Sequence, residues 1–207
     1  IEYNNSSFFK RLIYRIDRNF FTCAFHYLRH IWWNSMLKFN PGKNKQQRQD
    51  YRQGKIVVLI YALLVAIISY QYAGGLIGIF CALVLPFIVF NYFIAMIVYL
   101  HHTHPKVPYF DVKNEWSHAV GALSCSITIH TSRLSRLLLH NIMVHIPHHL
   151  DTRVPFYNLP KAYRALKKEY GEDLHEYKFK WSYVFNIFKQ CKLYDFETKP
   201  GIHSNKF

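Results

Sequence analysis

One uncharged run constrains this chain more than any other feature of its sequence. No Asp, Glu, Lys or Arg occurs in residues 56–100, and a helix needs only about 20 apolar residues to cross a bilayer. Ala-Gly-Gly at 73–75 divides the run near its middle, where glycine favours a turn. The run therefore predicts two membrane-spanning helices, 56–72 and 76–100, with a kink expected at Pro86. A buried hairpin of a soluble protein is the alternative, but two uncharged segments of this length are rare in soluble cores.

Basic residues dominate both flanks of the run. Residues 1–55 carry 11 Lys and Arg against 3 acids, and residues 101–207 carry 15 against 9. Because positively charged segments remain in the cytoplasm, both flanks are predicted to be cytoplasmic. Topology and anionic lipid headgroups then account for most of the formal net charge of +14. The basic residues match no nucleic-acid-binding module, so no nucleic acid partner is expected.

The flanks also contain helical patterns. Residues 18–39 mix aromatic and basic side chains, which is typical of an interfacial helix, and residues 40–55 are interpreted as a polar, basic loop. Prolines predict extended or turn structure at 105–111. Apolar residues three and four apart predict a helix over 132–146. A proline near the start and a glycine near the end predict another helix over 159–173.

The predicted fold class is therefore an all-α integral membrane protein. Residues 1–55 form a cytoplasmic or interfacial helical segment, and residues 56–100 form a transmembrane helical hairpin. Residues 101–207 form a cytoplasmic helical cap that carries the histidine-rich motifs. All three parts are assigned to one domain, because 207 residues fall within the usual size of a single domain.

Histidines are concentrated after the apolar run. Nine of the 13 lie in residues 101–149, mainly in two clusters: His-His-Thr-His-Pro at 101–105 and His-x-x-His-His at 145–149. Residues spaced by three and four lie on one face of a helix, so the second cluster can direct several imidazoles at one small volume. Because Pro147 disfavours helix at the residue before it, it is expected to open a new first turn that contains the last two histidines. The clusters predict a metal site, since imidazole is the commonest metal ligand.

The residue types narrow the choice of metal. Imidazole sites without thiolate suit zinc, copper, iron or nickel. The four cysteines lie far apart in sequence and predict neither a cysteine zinc site nor a disulfide framework. No His-Glu-x-x-His motif is present, and the two predicted membrane helices contain no histidine that could ligate a haem. The residues alone leave zinc and non-haem iron open.

Several motifs resemble those of the membrane fatty acid desaturases. His-Ile-Pro-His-His at 145–149 is similar to the third histidine box of this family. Residues 91–111 are similar to a segment of the acyl-lipid desaturases of the delta-12, or omega-6, type, in which the last membrane helix ends with His-Thr-His-Pro. Residues 7–21 are similar to the stretch after the second box. Further similar segments follow in the family's order at 114–123, 137–150 and 154–162.

The resemblance implies an enzyme of lipid metabolism. Such desaturases are multi-pass membrane oxidoreductases that hold two non-haem iron ions with histidines on the cytoplasmic side. They use dioxygen and two electrons from an external donor, such as ferredoxin or cytochrome b5, to introduce a double bond into a membrane lipid or another acyl substrate. No catalytic residue beyond the metal ligands is implied for this chain.

Both histidine clusters contribute to the ligand set that the resemblance implies. The third box supplies three ligands, and the segment after the last membrane helix supplies His102 or, as second choice, His104. His101 stands where this subfamily usually has glutamine. His140 and Asn141 match a common pair that is expected to orient the ligands. The implied metal ligands are His102, His104, His145, His148 and His149.

The first two histidine boxes of the family have no counterpart in this chain. His26 and His30 are spaced by four, as in a first box, but they follow the position that the second box takes in the resemblance. The chain is therefore interpreted as the C-terminal part of a desaturase, which supplies about half of the ligands and is expected to be inactive alone. Two alternatives are a related diiron membrane hydroxylase with the same ligand set, and a non-catalytic truncated membrane protein that binds one zinc ion or no metal.

Overall fold

The computed structural model describes residues 3–42, 44–110, 117–171, 173–194 and 203–204. These residues form two compact units, Ile1–Ala95 and Met96–Phe207. Both units are mostly helical, as predicted, and the second also contains strands.

The first unit begins with two helical segments. Helix α1 spans Phe8–Asp17. Helix α2 spans Ala24–Tyr27 and continues directly as a π-helix over Leu28–Leu37. The helix predicted within residues 18–39 is thus confirmed, although its position in a membrane interface stays a prediction.

Helix α3 spans Lys45–Tyr72 and begins within the segment that was predicted to be a loop. The loop prediction for residues 40–55 was therefore wrong over most of its length. Asn44 caps the helix, because its side-chain oxygen accepts a hydrogen bond from the Gln47 amide at 3.1 Å. Such a cap satisfies a backbone donor of the first turn, and the Lys, Gln and Arg residues that follow are good helix formers.

A tight turn at residues 73–75 joins α3 to the next helical segment, as predicted. Gly74 and Gly75 have φ of 89° and 66°, values that glycine adopts without strain. The chain then forms α4 (Leu76–Ile79), a π-helical stretch (Phe80–Val84) and α5 (Leu85–His102). The π-helical stretch directly precedes the turn that contains Pro86, whose ring crowds the carbonyl four residues earlier. Wider π turns in helices commonly accommodate such a disruption.

Two helices are long and apolar enough to cross a membrane: Lys45–Tyr72 and Leu76–His102. Only 6% and 22% of the residues in their most apolar stretches are buried within the protein. A soluble protein rarely leaves so large an apolar surface open to water. The structure therefore confirms two helices of membrane-spanning length and agrees with a membrane protein.

The second unit combines short helices with two small sheets. Its helices are α6 (His118–Ser124), α7 (Arg133–Leu138), α8 (Ile146–Leu150), a 3₁₀ turn (Phe156–Asn158), α9 (Leu159–Tyr170) and α10 (Trp181–Gln190). Its strands are β1 (Ile127–His130), β2 (His175–Lys178), β3 (Leu193–Tyr194) and β4 (His203–Ser204).

The strands correct the all-α prediction. Strand β1 pairs in parallel with β2, with Ile127 opposite His175, and β3 pairs antiparallel with β4. The first three residues of β1 are β-branched and buried, which suits a strand. A four-residue strand is too short to give a clear sequence pattern, so the prediction missed it.

The core of this unit fixes α8 against α9. The buried side chains of this core are Val144, Ile146, Leu159, Tyr163 and Leu174. Helix α9 starts and ends close to where the sequence predicts, with Pro160 in the first turn and Gly171 directly after the last residue. The extended or turn structure predicted at 105–111 is also found over its described part, residues 105–110.

The helix predicted over 132–146 is wrong after Leu138. His140 and Asn141 both adopt positive φ, 48° and 54°. The Asn141 amide donates to the Arg136 carbonyl (2.8 Å) and the His140 amide to the Leu137 carbonyl (3.3 Å), which is the Schellman pattern that ends helices. The Asn141 side chain also donates to the Phe156 carbonyl at 3.2 Å. This pair therefore ends α7 and directs the chain toward the third histidine box.

Candidate metal centre

His102 is the last residue of α5, and contacts within the second unit hold this end of the helix. One turn earlier, Tyr99 stacks on Phe188 of α10 with ring centroids 4.4 Å apart, and its hydroxyl donates to the Cys191 carbonyl. Beyond the helix, the Val107 amide donates to the His104 carbonyl at 2.9 Å in a turn. The His102 ring is therefore carried by backbone that is fixed on both sides.

His145 and His149 are placed by α8. Pro147 lies in the first turn of this helix and His145 is its N-cap, so the prediction that the proline opens a new first turn is confirmed. The His149 amide donates to the His145 carbonyl at 3.3 Å. Residues four apart lie one above the other on a helix, and both rings therefore point the same way.

The three rings converge on one point. The Nε2 atoms of His102 and His145 are 3.1 Å apart, those of His102 and His149 are 3.2 Å apart, and those of His145 and His149 are 2.9 Å apart. His145 is buried, His102 is half-buried and His149 is partly exposed. We call His102, His145 and His149 the imidazole trio.

Hydrogen bonding cannot satisfy the imidazole trio. Each Nε2 presents either a proton or a lone pair to the other two, so at least two of the three present the same group and repel. A metal ion resolves this conflict by binding three lone pairs. At a metal–nitrogen bond of about 2.1 Å, two ligands about 90° apart are about 3.0 Å from each other. The observed separations of 2.9–3.2 Å fit three ligands on one face of a six-coordinate ion.

A backbone carbonyl fixes the tautomer of His102. Its Nδ1 lies 3.1 Å from the carbonyl oxygen of Cys125, the residue that directly follows α6. A carbonyl can only accept, so Nδ1 carries the proton and the neutral ring leaves a lone pair on Nε2. Metal-binding histidines commonly have such a partner on the other ring nitrogen. Sequence reasoning missed the role of Cys125, since no side-chain signal marks a backbone acceptor.

Burial keeps the rings of His145 and His149 neutral. It lowers the pKa of His145 far below the usual range of histidine, and the neighbouring His101 and His102 rings lower it further. The pKa of His149 falls to about 4, because burial and then the nearby rings of His102 and His148 disfavour its charged form. Metal binding requires neutral imidazole, so near neutral pH these ligands need lose no proton.

The structure does not bring His104 and His148 into the trio. His104 is buried, its Nδ1 accepts a hydrogen bond from the Lys106 amide at 3.1 Å, and its ring packs 4.3 Å from that of Tyr177. The ring of His148 lies 5.7 Å from that of His145, as expected for a side chain that leaves the helix in another direction. Only three of the five implied ligands therefore share one point in the structure.

His101, to which the sequence assigned no role, lies directly beside the trio. Its ring stacks on that of His145, with centroids 4.2 Å apart and planes 11° apart. His140 lies farther along the chain at the end of α7, where its exposed ring packs 4.7 Å from Phe156. The described contacts of His140 and Asn141 thus act on the path of the backbone.

A second group of potential ligands lies in the first unit: Asp17, His26 and His30. The Arg29 guanidinium already binds the Asp17 carboxylate, and His26 Nδ1 lies 3.4 Å from it. Burial raises the pKa of Asp17, but the hydrogen bond from His26 and the charge of Arg29 outweigh this effect and lower it. Arg29 thus supplies the positive charge that a metal ion would bring, and the group is explained as an ion pair.

The sequence profile described as Fatty acid desaturase matches residues 3–181. The chain belongs to the fatty acid desaturase family. It is 32% identical to the sn-1 oleoyl-lipid 12-desaturase of Picosynechococcus sp. over 94% of this chain and 55% of that protein. It is 31% identical to the sn-1 oleoyl-lipid 12-desaturase of Anabaena variabilis over 79% of this chain and 49% of that protein.

A chloroplast desaturase is also similar. The chain is 31% identical to the omega-6 fatty acid desaturase, chloroplastic, of Glycine max, over 61% of this chain and 30% of that protein. The desaturase chain spans about half the length of the curated cyanobacterial relatives. The resemblance to desaturases of the delta-12, or omega-6, type is confirmed by these relatives.

Proposed function

We propose that this chain forms the metal-binding C-terminal part of a membrane-bound, diiron fatty acid desaturase. The observation that carries the proposal is the convergence of three imidazole nitrogens, 2.9–3.2 Å apart. They come from two motifs, since His102 lies 43 residues before His145 and 47 residues before His149. A chance packing of neutral histidines would not bring together, in a partly buried site, three nitrogens that hydrogen bonding cannot satisfy. Family membership supplies the reaction: dioxygen-dependent introduction of a double bond into an acyl chain.

The imidazole trio would hold one iron ion. The distances favour His102 over His104 as the ligand that follows the last membrane helix, because His104 Nδ1 is already used by the Lys106 amide. His148 remains a proposed ligand on the basis of the third-box motif, and it would serve the other ion. When bound, the two irons supply the oxidising chemistry of desaturation. The chain's own contribution is to keep the rings of His145 and His149 neutral and to fix the tautomer of His102 through the Cys125 carbonyl.

The membrane supplies the substrate in this proposal. Two relatives act, by name, on oleoyl groups of lipids, so a glycerolipid acyl chain is the proposed substrate class. The hairpin would cross the bilayer with both flanks in the cytoplasm, because both flanks are basic. An external one-electron carrier, such as ferredoxin or cytochrome b5, would supply the two electrons from that side.

Fatty acid profiling tests the proposal directly. The complete enzyme that contains this chain would be expressed in a host without polyunsaturated lipids, and its fatty acids analysed by gas chromatography with mass spectrometry. A new unsaturated product should appear, and it should be absent from a His145→Ala variant present in the membrane at the same level. A hydroxylated product would indicate a related hydroxylase. No acyl product, with an iron-loaded enzyme in the membrane, would refute the proposal.

A further inference from the structure

His101 is completely buried and lacks a hydrogen bond. Its exposed fraction is 0%, and neither ring nitrogen has a hydrogen-bond partner among the described residues. The Met143 carbonyl lies near enough to act on the ring, but it accepts a hydrogen bond from the Ile129 amide at 2.9 Å and makes none with His101. Buried polar side chains are nearly always paired. The His101 ring therefore needs a partner that the described residues do not supply.

The stacking on His145 limits what that partner can be. Two rings whose centroids are 4.2 Å apart repel each other when both are charged, and a neutral imidazole keeps one nitrogen with a lone pair. His101 does not belong to the trio, so its lone pair is available to a group beside the first ion. A buried water would need two to four polar partners. The glutamine that the subfamily usually carries here would also offer a lone pair, through its amide oxygen.

We propose that His101 is a ligand of a second metal ion, adjacent to the ion held by the imidazole trio. This inference rests on the proposed function, which requires two irons. Two parallel rings with centroids 4.2 Å apart can each ligate a different ion of one centre. His101 thereby gains the partner that its burial requires.

Nuclear magnetic resonance of the histidine rings tests this inference on the complete enzyme that contains this chain. The enzyme, with isotopically labelled histidine, would be reconstituted in phosphatidylcholine and phosphatidylglycerol vesicles and saturated with spin-active cadmium as a diamagnetic stand-in for Fe²⁺. A direct metal bond produces a one-bond coupling between cadmium and the ligand nitrogen. Within this chain, we expect this coupling on the trio, on His148 and on one nitrogen of His101. His101→Gln would identify the His101 signal, and His118→Gln, at an exposed position, is the matched control.

The outcomes separate this inference from the proposed function. Coupling on the trio without coupling on His101 would overturn the inference and leave the proposed function intact. A failure of the trio itself to couple would refute the proposed metal centre and the inference with it.

A second variant keeps the test independent of signal assignment. His101→Phe preserves a flat ring against His145 but has no lone pair. Cadmium bound at saturation should fall from two ions per complete enzyme to one in this variant, and the couplings of the trio should persist. Two ions bound to His101→Phe would contradict the proposed role.

Discussion

The comparison of His102→Ala with His104→Ala tests the site most sharply. His102 presents Nε2 to the rings of His145 and His149 at 3.1 and 3.2 Å, so in the proposed centre alanine removes one of the three donors of the first ion. Loss of a group that only orients a ligand costs about 10- to 100-fold in metal affinity, and loss of a donor should cost more. We expect a loss of more than about 100-fold, which is about 2.8 kcal/mol at about 1.4 kcal/mol per factor of ten.

His104→Ala should behave differently. The His104 ring accepts from the Lys106 amide and packs on Tyr177, so its loss should affect local packing and change metal affinity by less than about tenfold. His104→Phe, which retains an aromatic ring beside Tyr177, separates packing from ligation. Zn²⁺ affinity would be measured at neutral pH in detergent by competition with a chromophoric chelator, with thermal unfolding as the control for folding. Equal losses for the two alanine variants, or the reverse order, would refute the reasoning from these distances.

Three further predictions address other parts of the chain. Reporters fused before residue 1 and after Phe207 should both signal the cytoplasm, and opposite signals would exclude the hairpin. The isolated chain, supplied with dioxygen, an electron donor and lipid substrate, should show no desaturation by mass spectrometry, and turnover would show that the ligands present suffice. Hydrogen bonds from Lys167 and then His130 lower the pKa of Glu176 from 4.5 to about 2. Because the Glu176 side chain is 32% exposed, solvent screening reduces the contribution of this shift to about 1 kcal/mol of the free energy of unfolding. That contribution is present above pH 4.5 and is lost as the pH falls toward 2. The difference in melting temperature between wild type and Glu176→Gln should therefore shrink from pH 4.5 to pH 2. A difference that grew over this range would contradict the ion-pair assignment.

Composition and spacing were sufficient for the regular parts of the fold. The uncharged run and its Ala-Gly-Gly break predict two long helices and a turn, because hydropathy and glycine act locally. The start of α3 was predicted wrongly as a loop, because this polar segment has no apolar pattern. The cap formed by Asn44 nevertheless starts a helix there. The end of α7 was predicted wrongly for the opposite reason, because the apolar spacing continues beyond the last helical residue. His140 and Asn141 take left-handed conformations that nothing in their side chains requires.

The site was predictable only in part. The spacing of His145 and His149 is a local property of one helix, so sequence reasoning could pair them. The choice between His102 and His104 depends on which ring meets α8 in three dimensions, and both carry the same chemistry in the sequence. The burial of His101 and the contact of His102 with the Cys125 carbonyl arise from tertiary packing alone.

The geometry of the trio does not depend on the ion. Pro147 sets the first turn of α8, and the bond from the Ile129 amide to the Met143 carbonyl ties the preceding segment to β1. Tyr99 fixes the end of α5 through Phe188. None of these contacts involves a ligand nitrogen, so the ligand rings are held near one another by the fold before metal binds. A metal ion bound by these nitrogens would then relieve the repulsion between those that present the same group. Metal should therefore raise the stability of the second unit without a large change in its helix content.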